Sequence, residues 1–199
     1  MKIGIMGGTF DPIHTGHLII GEYARTTLDL DKVIFVPVGL PPHKDNNKVS
    51  TSERRLAMTK IAIESNSYFY LSSIEVDRKQ ITYTIDTIKE LKNIYKEDEL
   101  YFVIGGDSLF EIEKWKDFDQ LIGLCKFVVL ERPGRTKDEM DEKILQLNDL
   151  YKIKLEKIYS PLIDISSTEI RERVRKNLSI TYLVPESVES YIVNHKLYL

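Results

Sequence analysis

Cysteine and tryptophan are the scarcest residues of this 199-residue chain, with one of each, Cys125 and Trp115. A lone cysteine forbids an internal disulfide. Its setting, followed by Lys126-Phe127-Val128-Val129-Leu130, reads as a strand start, so the thiol is expected to be a small buried group without a catalytic role. Basic charge is not in excess either. The 28 Lys and Arg are set against 31 Asp and Glu, for a net charge of −3, and no basic stripe suits DNA or RNA. No segment reaches the length of a membrane span. The opening apolar run breaks at Gly7-Gly8 and meets Asp11 and His14 soon after, which excludes a signal peptide and leaves the cytoplasm as the expected setting. There is no G-x-x-x-x-G-K-[ST] loop and no G-x-G-x-x-G turn. Zinc ligation by His14 and His17 would need a third ligand, and His43 and His195 stand in unlike contexts, so no resident metal is expected.

What is present is ordinary globular material, 42% hydrophobic and 30% charged, in a length that suits one domain. Strand-like and helix-like stretches alternate. Ile3–Met6, Lys32–Val36, Phe69–Ile74, Leu100–Ile104, Phe127–Leu130 and Lys154–Ile158 read as strands. Between them Ile20, Ala24 and Leu28 share a helical face behind a Thr15 cap. Ser50-Thr51-Ser52-Glu53 is a capping box that opens a helix to about Glu64. Thr84–Tyr95 is helical, and Met140, Ile144, Leu147 and Tyr151 form another stripe. A second capping box, Ser166-Ser167-Thr168-Glu169, starts a further helix, and the last begins at Pro185. Alternation of this kind implies an α/β fold, a mostly parallel sheet with helices on both faces. Gly39 to Thr51 is polar and proline-rich and reads as a mobile loop.

The chemistry concentrates in Gly7-Gly8-Thr9-Phe10-Asp11-Pro12-Ile13-His14-Thr15-Gly16-His17. An apolar strand runs into a glycine turn, and two histidines one helical turn apart stand where a helix begins. Glycines let the backbone approach a ligand. N–H groups at a helix start hold phosphate, and the two rings can face one anion. H-x-G-H therefore reads as a polyphosphate grip. Ser166, Ser167 and Thr168, with Arg171 one turn into the helix, make a second anion site. Gly105-Gly106-Asp107 lies at the carboxyl end of the strongest strand, where open parallel sheets bind ligands. Trp115, in a charged setting, offers a half-exposed indole face for an aromatic ring.

The strand–GG-T-F-D-P-x-H-x-G-H–helix pattern resembles the nucleotidyltransferase superfamily that transfers AMP or CMP from a nucleoside triphosphate. Pro41-Pro42-His43-Lys44, Thr82-Tyr83-Thr84, Gly105-Gly106-Asp107, Trp115, Arg132-Pro133-Gly134 and Ile165 to Arg171 extend the likeness over nearly the whole chain. Within the superfamily they are similar to bacterial nicotinate-nucleotide adenylyltransferases. The resemblance implies a Rossmann-like doubly wound sheet of order 3-2-1-4-5, one nucleotidyltransferase domain over 1–199, and a small C-terminal helical part from about 165. It implies adenylyl transfer from ATP to nicotinate mononucleotide, giving deamido-NAD and pyrophosphate, with Mg²⁺ arriving on ATP.

By the same resemblance His14, His17 and Arg171 would be catalytic. Gly7, Gly8, Thr9, Phe10, Gly105, Asp107, Ser166, Ser167 and Thr168 would join them around ATP. Trp115 would stack on the pyridine, with Thr84 beside its carboxylate. Lys44 and Arg132, and less directly Arg54, would meet the mononucleotide. The family usually shows Ser where Thr82 stands, and the hydroxyl is kept. Asp11 is either a metal contact or a cap for the turn before Pro12. A homo-oligomer is left open. Rival readings are an adenylyltransferase for nicotinamide mononucleotide or pantetheine phosphate, a fragment of an aminoacyl-tRNA synthetase, and a non-catalytic nucleotide sensor. His14 disfavours the pantetheine branch, which usually has threonine there. The lack of K-M-S-K-S disfavours the synthetase.

Overall fold

The computed structural model describes residues 1–40, 49–130, 137–159, 161 and 163–199. In chain order the elements are β1 (Lys2–Gly8), α1 (Thr15–Leu28), β2 (Lys32–Pro37), α2 (Ser52–Ile63), β3 (Phe69–Leu71), α3 (Ile74–Asp77) and α4 (Thr84–Ile94). They continue with β4 (Glu99–Gly105), α5 (Gly106–Glu111), α6 (Phe118–Leu121), β5 (Lys126–Leu130), α7 (Lys137–Tyr151), β6 (Glu156–Ile158), α8 (Ser167–Arg175) and α9 (Glu186–Asn194). The six strands pair in parallel in the order β3-β2-β1-β4-β5-β6.

Both faces of the sheet are covered, which is why its strands read as near-continuous apolar runs. Successive side chains go to opposite faces. Ile3, Ile5, Phe102, Ile104, Phe127 and Val129 pack with Ile88 and Leu91 of α4, Leu109 of α5 and Leu147 of α7. Met6, Val33, Phe35, Val103 and Val128 pack with Ile20 and Ala24 of α1, Met58 and Ala62 of α2, and Ile170 and Val188 of the C-terminal helices. The expected Rossmann-like, doubly wound arrangement is present, with the helical C-terminal part. β6 extends the expected order by one strand at the edge.

Boundaries shifted where local hydrogen bonding overrode pattern. The stretch expected as strand through Ile74 pairs only over Phe69–Leu71. The last ladder-like bond is Ser72 N–H to Phe35 O, and Ser73 Oγ then donates to Asp77 Oδ2, closing the turn of α3. β6 likewise begins at Glu156 and not at Lys154. The N-cap of α2 is Thr51, one residue past the expected Ser50 box, and its hydroxyl accepts from Arg54 N–H. Pro185 is the N-cap of α9, and not its first residue. The N-cap of α1 is His14 in place of Thr15. Thr15 instead ties α1 to the C-terminal part, its N–H donating to Leu183 O and its hydroxyl to Tyr182 O, each at 2.9 Å.

β1 is flanked by β2 on one side and β4 on the other, so chain direction across the sheet reverses at this strand. Ligands of open parallel sheets enter at the carboxyl ends beside such a reversal. Cys125 is free and half-buried just before β5, and burial pushes its thiol up to about 12, so at neutral pH it stays protonated and inert. No helix among the described residues is long and apolar enough to cross a membrane.

Candidate active site

The turn after β1 is set by sterics before any ligand is considered. A Cβ on Gly8 would come 2.7 Å from the Phe10 ring, so the residue must be glycine while Phe10 stays folded beneath the turn. Phe10 itself sits at φ 49° and is 2% exposed. Its ring meets the His17 ring edge-on at 5.0 Å, and the His14 and His17 rings stack at 3.6 Å. The backbone N–H of His14 donates to His17 Nδ1 at 3.2 Å. With Nδ1 accepting, a neutral His17 carries its proton on Nε2, away from its own backbone. His17 lines the cleft. His14 is 4% exposed and stands behind it, a supporting ring more than a second face.

The cleft has a volume of about 460 Å³ and opens between the carboxyl ends of β1 and β4. Gly7, Gly8, Thr9 and His17 form one wall, and Gly105, Asp107 and Ser108 form another. Trp115 and Thr84 also line the cleft. The indole stands edge-on to Phe102, with centroids 6.0 Å apart, which leaves its orientation fixed by the sheet. Lys116 binds the two segments together. Its ammonium lies 3.5 Å from Asp86 and 4.4 Å above the Tyr83 ring, both flanking Thr84. Glu75 and Thr87 are among the cleft residues that escaped sequence reasoning, as is Ser108. Glu75 is 7% exposed and accepts from the Thr87 hydroxyl at 2.7 Å. Nothing local in the sequence marks either one. Thr82 is buried beneath them, its N–H donating to Leu40 O at 3.2 Å.

The second anion element is docked directly onto the first. Ser166 caps α8, its hydroxyl accepting from Glu169 N–H at 3.1 Å. Ser167 does something else: its hydroxyl donates to Pro12 O at 2.9 Å. Arg171 Nη1 donates to Asp11 O at 2.8 Å, and Nη2 to Thr168 Oγ1 at 3.3 Å. Two motifs about 160 residues apart thus meet on the turn of residues 9–12. The α8 N-terminus and the guanidinium bring positive potential to the turn that follows Gly8 and Thr9 of the cleft wall, although Ser166, Ser167, Thr168 and Arg171 are not themselves among the cleft's lining residues.

Behind that turn lies a buried polar cluster. Arg55 is 1% exposed and donates to three carbonyls, Thr9 at 2.8 Å, Gly39 at 2.8 Å and Ser50 at 3.0 Å. Burial holds its guanidinium below its ordinary value, against the pull of Asp11. Asp11 is 2% exposed, and its carboxylate accepts from Tyr198 Oη at 2.8 Å and from Ser50 N–H at 3.2 Å. Burial and the Asp11 carboxylate raise the Tyr198 hydroxyl, which keeps it a donor. Asp11 therefore braces the turn. Each of its oxygens already accepts one hydrogen bond from the protein. Among the described residues no group of three or more His, Cys, Asp or Glu is arranged to hold a metal. Arg54, weighed as a substrate contact, is exposed; its neighbour Arg55 holds the turn. Lys44 and Arg132, with the Pro41–Lys44 and Arg132–Gly134 motifs, lie outside the described residues.

Chemically the site offers a donor-rich wall for a polyphosphate at one end. At the other it has a flat aromatic and a hydroxyl for a ring with a polar substituent. The cytidylyltransferase-like family profile matches residues 5–173. A protein of Thermoanaerobacter sp. (strain X514), named "Probable nicotinate-nucleotide adenylyltransferase", is 50% identical over 199 residues, covering 100% of this chain and 94% of its own. A protein of the same name from Moorella thermoacetica is 46% identical over 198 residues, covering 99% and 91%. Among solved structures, Plasmodium falciparum nicotinic acid mononucleotide adenylyltransferase complexed with NaAD superposes with a TM-score of 0.80. The match covers 99% of this chain and 97% of that one, and at 23% identity it speaks for the fold.

Proposed function

The chain belongs to the nicotinate-nucleotide adenylyltransferase family of cytidylyltransferase-like enzymes, and from that premise we infer that it transfers the adenylyl group of ATP to nicotinate mononucleotide. The products are deamido-NAD and pyrophosphate, a step of NAD biosynthesis. The observation that best supports a role for the cleft is the docking of α8 on the β1–α1 turn. Ser167 and Arg171 bond Pro12 and Asp11, so a cation stands at the turn that leads into α1, whose first turn carries His17.

In this reading the nucleophile is the 5′-phosphate of the mononucleotide, attacking the α-phosphorus of ATP in line. An oxygen–phosphorus bond forms, the α–β bridge breaks, and pyrophosphate leaves with its electron pair. No covalent protein intermediate is required, and Cys125 is unavailable for one. The protein's work is positioning and charge stabilisation. His17, donating through Nε2, meets charge building on the transferred phosphate and the leaving group. His14 fixes the His17 ring by stacking and by its N–H bond. Arg171 and the α8 N-terminus take the β- and γ-phosphates, with Ser166, Ser167 and Thr168 at that end. Gly105 and Asp107 flank the adenosine. Trp115 stacks on the pyridine and Thr84 donates to its carboxylate. The substrate is taken to be the Mg²⁺ complex of ATP, the metal neutralising phosphate oxygens.

Incubation of the protein with Mg-ATP and each acceptor in turn tests this. The acceptors are nicotinate mononucleotide, nicotinamide mononucleotide and pantetheine phosphate, and the readout is pyrophosphate. Release is expected with the nicotinate compound far above the others. Equal or greater release with another acceptor would reassign the substrate, and none with any would leave a nucleotide sensor.

A further inference from the structure

Asp11 is a junction between the proposed ATP site and a distant part of the chain. Its carbonyl accepts from Arg171 at 2.8 Å, while its carboxylate accepts from Tyr198, 187 residues away, also at 2.8 Å. A carboxylate that is 2% exposed has no bulk water to exchange for a lost donor. The carboxylate is therefore anchored by Tyr198 and by Ser50 N–H at 3.2 Å, and these bonds tether the residue whose carbonyl receives Arg171. Two residues earlier Arg55 holds the Thr9 carbonyl at 2.8 Å. The turn is pinned from behind at both positions.

Tyr198 is itself held in an uncommon pose. Its backbone lies at φ 67°, left-handed territory that an aromatic residue occupies at an energetic cost. Its ring packs against the core beneath α1 and α2, and its hydroxyl also lies 3.9 Å from the Met58 sulfur. The packing would be served as well by phenylalanine. What the oxygen adds is the bond to Asp11, together with weaker contacts to the Met58 sulfur and the Ser50 hydroxyl.

We propose, on the reading that Arg171 meets the ATP phosphates, that Tyr198 is a positioning residue for adenylyl transfer: through Asp11 it sets where Arg171 stands against ATP. Misplacement of a reacting group by about an ångström can cost up to roughly 10²-fold in rate. Loss of one buried hydrogen bond behind the turn is a smaller disturbance, and a loss of about tenfold is expected.

Tyr198→Phe removes the oxygen and keeps the ring. It is compared with the unaltered protein, with Arg171→Ala and with the double variant. Pyrophosphate release is followed at varied ATP and varied nicotinate mononucleotide. Constants are taken at a temperature where circular dichroism shows each variant folded, so lost activity is not lost protein. Tyr198→Phe is expected to lower kcat, or raise the KM for ATP, by about tenfold, with the KM for the mononucleotide within twofold. In the Arg171→Ala background the same change should cost less than twofold, because the group it positions is gone. The proposal is overturned if Tyr198→Phe keeps kcat and the KM for ATP within twofold. It is equally overturned if the loss is the same in both backgrounds, or if both substrates suffer alike, as a general loosening of the fold would produce. Failure of the underlying assignment looks different: Arg171→Ala alone would then leave the ATP kinetics unchanged.

Discussion

His17 combines a half-buried ring at the cleft with a committed Nδ1, which accepts from His14 N–H at 3.2 Å. That division of labour makes its replacement informative. His17→Ala is expected to lower turnover by roughly 10²–10³, the usual effect of removing one donor to developing charge. The protein should stay folded, with a melting temperature lower by a few degrees, since alanine removes the acceptor of the His14 N–H and the ring contacts with His14 and Phe10, a loss of about 1–2 kcal/mol. A turnover near that of the unaltered protein would refute the role. At the far end of the cleft, Trp115 and Thr84 make separable predictions. Trp115→Ala should weaken nicotinate and nicotinamide mononucleotides alike, because both lose the stacking face. Thr84→Val should weaken only the acid, shrinking the acid-over-amide ratio of kcat/KM by about ten- to a hundredfold. A mispaired buried polar group costs about 1–3 kcal/mol. Steady-state kinetics with both compounds separate the two effects. If Thr84→Val leaves the ratio unchanged, the carboxylate is read by other donors.

Among the elements, the docked pair of turn and α8 was legible in outline and opaque in mechanism. Glycines, histidines and a hydroxyl-rich capping box marked the β1–α1 turn and the start of α8 as candidate anion sites, because ligand-facing backbone needs small residues and helix starts need acceptors. Strand periodicity was equally legible, since each central strand faces two apolar layers. What could not be read were groups whose role is long-range. Arg55 follows Arg54 with no mark to separate them, yet one is 1% exposed and the other lies in solvent. Tyr198 looks like any tyrosine in a chain with 11 of them. Glu75 sits where a strand was expected to have just ended, and the short α3 that carries it has too little length for a helical pattern. Strand ends and caps also shifted, as at Thr51 and His14, because hydrogen bonds to particular neighbours decided them. Arg55 gives the sharpest test at this scale. Arg55→Ala should destabilise the protein by about 3–5 kcal/mol, since three carbonyls and the Asp11 charge lose their buried partner. Denaturant titration measures this, and a cost below about 1 kcal/mol would mean that water or a repacked loop replaces the guanidinium.

For the molecule as a whole, the cleft joins segments from β1, β4, α3, α4 and α5, so a ligand bound there staples distant parts of the sheet. Binding to the folded chain alone should stabilise it by about 2.7 kcal/mol at a hundredfold excess over Kd. For a chain of this size that is a rise of roughly 5–10 °C in melting temperature. A thermal scan with Mg-ATP or nicotinate mononucleotide checks this, and the Mg-ATP rise should be largely lost in His17→Ala. An undiminished rise would place ATP elsewhere. The spacing of the two anion motifs carries a separate lesson about time. Ser167 and Pro12 are 155 residues apart, and Asp11 and Tyr198 are 187 apart. Contacts of such separation form late, after loop-closure entropy has been overcome. A refolding chain should therefore regain its helical signal and its sheet before it regains turnover. During synthesis, a ribosome-bound chain that has emerged only through β6 would already own the cleft's walls, yet lack the α8 and Tyr198 bonds that hold its turn. Half-made molecules would be silent in catalysis, and nucleotide would be consumed only by chains whose two ends had found each other.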